Sequence, residues 1–214
     1  MRQLKRQLSL KRDNNIDWKP ENIVVSTGAK HSLANVIQVL VNPGDEVIIF
    51  APYWVSYSEM VKLAEGKSVI LDGAFENDFK VTAAQLEAAI TPRTKVVMYA
   101  SPNNPTGAVY SEAELRAIGD VLEKHPDIYV LADEIYEYIN FTPEGNFSIG
   151  SIPAIKDRVV TANGVAKGFA MTGWRIGFTA AAKWIADGVE KLQGQVTSGT
   201  NSIAQKAATV AFNG

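Results

Sequence analysis

Three stretches of this chain, EVIIFA at 46–51, KVVMYA at 95–100 and DIYVLA at 127–132, are almost wholly apolar and show no polar face. A strand of that kind has to be covered on both sides, which is the pattern of a parallel sheet packed between helices. The segments between the runs supply the helices. Leu33, Val36, Ile37, Leu40 and Val41 recur at the spacing of one buried helical stripe. Ser111 and Glu114 stand as a capping box ahead of Leu115, Ile118 and Leu122, and Thr82 and Gln85 repeat that spacing ahead of a helix over 82–90. Further helices are expected over 57–64, 183–196 and 201–212, and shorter strands at 21–26, 68–71, 158–162 and 175–180. The alternation predicts an α/β fold: a mostly parallel sheet of five or six strands flanked by helices. At 214 residues, one large domain accommodates it.

Several function classes drop out early. A net charge of −2 argues against nucleic acid as a partner. Without cysteine there is neither disulfide nor thiol chemistry. The opening MRQLKRQLSL is basic but lacks the apolar centre of a secretory signal, and no apolar run is long enough to span a bilayer, so a cytoplasmic protein with no membrane partner is expected. Arg2, Lys5, Arg6, Lys11 and Arg12, interleaved with Leu4, Leu8 and Leu10, read as a surface helix with a narrow apolar face. That abrupt beginning, with no cap or first strand, reads as a cut point. His31 and His125 have no metal-ligand spacing, are expected on helix surfaces, and no metal site is expected.

The polar residues of interest gather where strands end, which is where open α/β sheets place their ligands. Lys167 lies in NGVAKGFAMTGWRIG between Ala166 and Gly168, with Arg175 eight residues on. A lysine among small and apolar neighbours is costly to charge, so its amine becomes available as a nucleophile. An arginine nearby disfavours the ammonium further and can grip a phosphate. Together they point to a phosphorylated aldehyde such as pyridoxal phosphate, against the plainer reading of a surface lysine in a loop. Asp133, at the end of an apolar run, needs a partner: a protonated pyridine nitrogen, a helix cap, or an arginine. Tyr136 could reach the other side of such a ring. SPNNPTG forms a rigid turn that fixes Asn103 and Asn104, either to hydrogen-bond a ligand or simply to connect. Gly28 and Ala29 open a helix whose free N–H groups suit an anion, although strand–helix corners are common. Lys30 is badly placed there for the helix dipole, so it faces an anion or is merely solvated. Trp54 stacks on a planar ring or belongs to the core.

The motifs STGAK, APYW, SPNNPTG, DEIY and AKGFAMTGWRIG, in that order and over nearly the whole chain, resemble those of the fold-type I, class I/II aminotransferases, in the manner of the bacterial aspartate aminotransferase branch. The resemblance implies that Lys167 forms a Schiff base with pyridoxal 5'-phosphate and later shuttles the proton, while Asp133 keeps the pyridine nitrogen protonated. Tyr136 and Asn104 would bind the ring's phenolic oxygen, Trp54 would stack on the ring, and Arg175 with the backbone of Gly28 and Ala29 would take the phosphate. Trp54, Asn104 and Lys30 would also face substrate, Lys30 holding the distal carboxylate of aspartate or glutamate. The implied partners are an amino acid and a 2-oxo acid, with a second copy of the chain in a homodimer. Two departures stand out. Serines that help bind phosphate in many relatives are here Gly164 and Ala166. Residues 1–214 would form only the cofactor-binding large domain, with an N-terminal segment and a C-terminal small domain expected outside them. Aromatic or prephenate aminotransferases, β-lyases, and a non-catalytic cofactor-binding or oligomerisation module are the alternatives.

Overall fold

In a computed structural model, which describes residues 10–213, the apolar runs form strands and the helical repeats form helices. Chain order is α1 (Leu10–Asn14), β1 (Ile23–Ser26), α2 (Ala29–Leu40), β2 (Glu46–Ala51), α3 (Ser56–Leu63), β3 (Lys67–Asp72), α4 (Ala83–Ala89), β4 (Thr94–Ala100), α5 (Glu112–Glu123), β5 (Tyr129–Asp133), β6 (Val159–Gly164), β7 (Gly177–Ala180), α6 (Lys183–Val196) and α7 (Ser202–Ala211). The strands make one sheet in the order β1-β7-β6-β5-β4-β2-β3. Pairing is parallel from β3 through β6, whereas β7 runs antiparallel to both β6 and β1.

Both faces of the sheet are covered, as the unbroken apolar runs require. On β4, Val96, Met98 and Ala100 pack with Leu33, Val36 and Ile37 of α2, Met60 and Val61 of α3, and Ile185 and Val189 of α6. Val97 and Tyr99 point the other way, toward Leu86 of α4 and Leu115, Ile118 and Leu122 of α5. A third cluster joins Ile23, Val25, Phe178 and Ala180 of β1 and β7 to Leu10 of α1 and Ala204, Ala208 and Phe212 around α7. Leu33, Val36, Ile37, Ile185 and Val189 are wholly buried, and each such side chain stabilises the fold by about 1.5–3 kcal/mol relative to exposure. Both expected capping boxes form, with Gln85 N–H donating to Thr82 Oγ1 and Glu114 N–H to Ser111 Oγ.

The sheet has seven strands, one for each of the seven stretches read as strands, so the tally of five or six was low. β3 is an edge strand with partly exposed side chains, so pairing to β2 rather than an apolar pattern makes it a strand. β7 begins at Gly177, because Arg175 sits at φ 52° in the left-handed region and cannot extend it. β5 starts two residues late, Ile128 N–H being drawn into a turn by His125 O. His31 lies on α2, whereas His125 lies just beyond α5. Of the expected N-terminal helix, α1 carries a buried Leu10; Arg2, Leu4, Lys5, Arg6 and Leu8 lie outside the described residues. Among the described residues no helix is long and apolar enough to cross a membrane, and no three acidic or histidine side chains are grouped to hold a metal.

α1 is tied to the sheet by an acidic cluster. Asn14 Nδ2 donates to Glu134 Oε2 at 3.1 Å and to Glu137 Oε2 at 2.6 Å, and Ser148 Oγ donates to Glu134 Oε1 at 2.5 Å. Burial pushes Glu134 well above the carboxylate range, with the neighbouring Glu137 adding to it. Burial also carries Glu137 from its usual 4.5 up to about 7, against the pull of the Asn14 and Asn163 amides. A carboxyl whose folded value is raised binds its proton more tightly in the folded state, so its stabilisation is complete below the unfolded value and lost as pH rises through the folded one. Glu137 therefore favours folding below about pH 4.5 and ceases to do so as pH climbs through about 7. The difference in urea midpoint between the native chain and Glu137→Gln should accordingly move across that window, the native chain losing more stability as pH rises. A difference that is flat from pH 4.5 to 7 would remove Glu137 from this account.

Candidate active site

Five parallel-running segments and one reversed strand deliver side chains to a single edge of the sheet. β1 ends at Ser26 and turns through Gly28, at φ 87°, into α2. β2 leads to Trp54, β4 to Asn104, β5 ends in Asp133 ahead of Tyr136, and β6 leads to Lys167. β7 enters the sheet at the edge where these strands leave it: Gly177 pairs with Ser26 on one side and Gly164 on the other. Arg175, two residues before, is thereby brought to the same place. Ala29, Lys30, Trp54, Asn104, Asp133, Tyr136, Lys167 and Arg175 all line one cavity of about 190 Å³.

The corner between α2 and β7 is built for an anion. A Cβ on Gly28 would fall 2.3 Å from a terminal nitrogen of Arg175, and one on Gly177 would fall 2.3 Å from the Ala29 nitrogen. Only with both side chains absent can the guanidinium lie against the first turn of α2, whose leading N–H groups have no partner within the helix. Arg175 is held from behind by a bond of 2.9 Å to Thr172 O. No acidic residue occupies that first turn. Gly164 is also constrained, since a Cβ there would meet Ile176 O at 2.6 Å. A serine at 164 has no room unless β6 and β7 separate. Ala166, by contrast, lines the cavity.

Asp133 is buried at 4% exposure, and neither of its structural alternatives applies: among the described residues it caps no helix and pairs with no arginine. Tyr57 Oη donates to its Oδ2 at 2.7 Å, and Ile135 N–H donates to its Oδ1 at 3.3 Å. Burial pushes the carboxyl up to about 6, and these two donors pull it back. Tyr57 was not singled out in the sequence, and neither were Ala100 and Ile135, which also line the cavity. The available signal for Tyr57 was its spacing, three residues after Trp54 and on the first turn of α3, where the two side chains share a face.

Lys167 departs from expectation. Its side chain is exposed rather than enclosed by apolar neighbours, although it lines the cavity. Lys167 Nζ stands 5.5 Å from the centre of the Tyr136 ring. Across the cavity mouth, Asn104 Nδ2 reaches Tyr136 Oη at 3.4 Å. Asn103 is taken up by the loop itself, donating to Pro52 O and accepting from Thr106. Lys30 is exposed, with Nζ 4.7 Å from the Trp54 ring centre. It makes no ion pair among the described residues. A buried carboxylate facing the cavity, an amine at its rim and a guanidinium-lined helix start fit the ring nitrogen, aldehyde and phosphate of pyridoxal phosphate, and the missing side chain at Gly28 leaves the phosphate corner open.

Comparison with known proteins agrees with this geometry. Residues 2–214 match the family model described as aminotransferase class I and II. An aspartate/prephenate aminotransferase from Nitrosomonas europaea is 49% identical over 205 residues, covering 95% of this chain and 52% of the relative. The crystal structure of the aspartate aminotransferase from Rhizobium meliloti superposes with a TM-score of 0.97 at 42% identity, over 99% of this chain and 54% of that one. The aspartate aminotransferase from Thermus thermophilus with maleate gives a TM-score of 0.95 at 40% identity, over 99% and 55%. The chain thus spans about half the length of these relatives.

Proposed function

The chain belongs to the class I and II aminotransferase family, and we propose that residues 1–214 act as the pyridoxal-phosphate-binding large domain of an enzyme that moves an amino group between aspartate or glutamate and a 2-oxo acid. The observation that carries this reading is the meeting of Lys167, Asp133 and Arg175 around one cavity. When bound, pyridoxal phosphate supplies an aldehyde that condenses with amines and a ring that withdraws electrons from the carbon next to the nitrogen.

The chain's own groups do the rest. Lys167 would hold the aldehyde through its Nζ, and the same amine, when free, would take a proton from the substrate Cα and carry it as an ammonium until it is given up again. Its exposed position at the rim, in no ion pair among the described residues, suits a group that must be displaced and then move a proton. Asp133 would hold a proton on the ring nitrogen, Tyr136 and Asn104 would bind the phenolic oxygen, and Trp54 would stack on the ring. Arg175 and the N–H groups following Gly28 bind the phosphate, a charge-assisted grip that fixes position as well as adding affinity.

Lys30 selects the substrate. An ammonium beside Trp54 at the cavity, in no ion pair among the described residues, is placed for a second carboxylate, and the Thermus structure is one with maleate, itself a dicarboxylate. Prephenate is a second amino-group acceptor worth testing, because the Nitrosomonas relative is named for it and because prephenate also carries two carboxylates. The resemblance to the family implies a homodimer as the working unit.

Loading the chain with pyridoxal phosphate, reducing with borohydride and mapping peptides should find the adduct on Lys167. An adduct spread over surface lysines would sink the reading. In the enzyme, Lys30→Met should lower kcat/KM for aspartate by about tenfold or more, as the loss of a charge-assisted contact implies, while leaving that for a monocarboxylic amino acid little changed. Equal losses for both would assign the second carboxylate to another residue.

A further inference from the structure

Tyr57 lies outside every motif that points to the cofactor, yet it makes the shortest contact to Asp133. The tyrosine is 1% exposed, and its ring is fixed from two sides. Tyr53 stacks on it at 6.3 Å and 9°, and Trp54 meets it edge-on at 5.9 Å and 86°. A hydroxyl so held has one direction in which to donate, and at 2.7 Å from Asp133 Oδ2 it donates there. The Ile135 N–H on the other oxygen is longer, at 3.3 Å. A carboxylate taken out of water is costly unless its lone pairs are met, and burial already raises this one, to about 6, against only these two donors.

We propose that Tyr57 is a positioning residue for the cofactor's ring nitrogen: by donating to Asp133 Oδ2 it holds that carboxylate ionised and in one orientation, so that the shared proton resides on the nitrogen. The inference rests on the assignment of pyridoxal phosphate to this cavity. A single proton is at issue, and it lies either on the nitrogen, facing a carboxylate, or on the carboxyl oxygen, facing a neutral nitrogen. A donor on the carboxylate stabilises the first arrangement, and its removal moves the proton toward the second. The effect reaches the ring only through Asp133, and packing alone gives no reason for it.

The test uses pyridoxal phosphate labelled with nitrogen-15 in the ring, together with an analogue carrying C–H in place of that nitrogen. In the native protein the nitrogen signal should be that of a protonated pyridine; in Tyr57→Phe it should shift toward the neutral form. Affinity for pyridoxal phosphate should fall by about tenfold in the variant, the scale of a lost hydrogen bond to a charged group, while the analogue binds both proteins alike. Equal losses for cofactor and analogue, or an unmoved nitrogen signal, would reduce Tyr57 to packing and overturn the proposal. A neutral nitrogen in the native protein would overturn it without any variant. Borohydride trapping at Lys167, run on both proteins, separates the two levels: trapping with an unmoved signal defeats only the Tyr57 proposal, and absence of trapping in the native protein defeats both it and the cofactor assignment.

Discussion

A sheet covered on both faces has no room for polar chemistry except at its ends, and here the reversal of one strand decides how much chemistry one end can hold. Were β7 parallel to β6, its first residues would emerge at the opposite edge and Arg175 would lie the length of the sheet from Lys167. Antiparallel pairing of Gly177 with Ser26 and Gly164 instead brings three chain segments to a point. That point tolerates no Cβ at Gly177 and none at Gly28. The anion corner is therefore a consequence of strand direction and of two missing side chains, and the guanidinium fills the space they leave.

The end of β5 shows how alternation along a strand separates two buried acids. Asp133 and Glu134 are adjacent and both nearly inaccessible, at 4% and 2% exposure. Successive side chains of a strand point to opposite faces, and the two acids meet different company. Asp133 meets Tyr57 and the cavity. Glu134 meets Ser148 and the Asn14 amide that also serves Glu137. Burial raises both, and each of the two neighbouring carboxylates, Glu137 and Asp133, adds to the rise at Glu134.

Most of the fold was legible because its signals are local. Apolar runs without alternation, helical stripes and two capping boxes each specify an element from within a few residues, and they fall where the strands and helices are found. The site residues were legible for a related reason: Asp133 ends a strand, Lys30, Trp54, Asn104, Tyr136 and Lys167 follow strand ends by three or four positions, and Arg175 stands two before β7. What was hidden depends on contacts distant in sequence. The direction of β7 is written in no local pattern, and Tyr57 finds Asp133 across 76 positions. The Glu134–Glu137 pair becomes a cluster only when Asn14 arrives from the far end of the chain.

The two serines absent before Lys167 have different physical standing. At 164 the substitution is enforced, because a side chain would strike Ile176 O and pry β6 from β7; a hydroxyl there would loosen the very contact that places Arg175. At 166 the side chain lines the cavity, so a serine hydroxyl would add a donor near the anion corner without disturbing the sheet. A hydroxyl donating to an ionised phosphate contributes about 1.5–3 kcal/mol net, whereas the guanidinium adds an opposite charge and a fork of donors, and the helix start adds several N–H groups. The arginine and the helix start thus outweigh what Gly164 gives up, and the missing serines leave the anion corner standing on the close approach of β7 to α2.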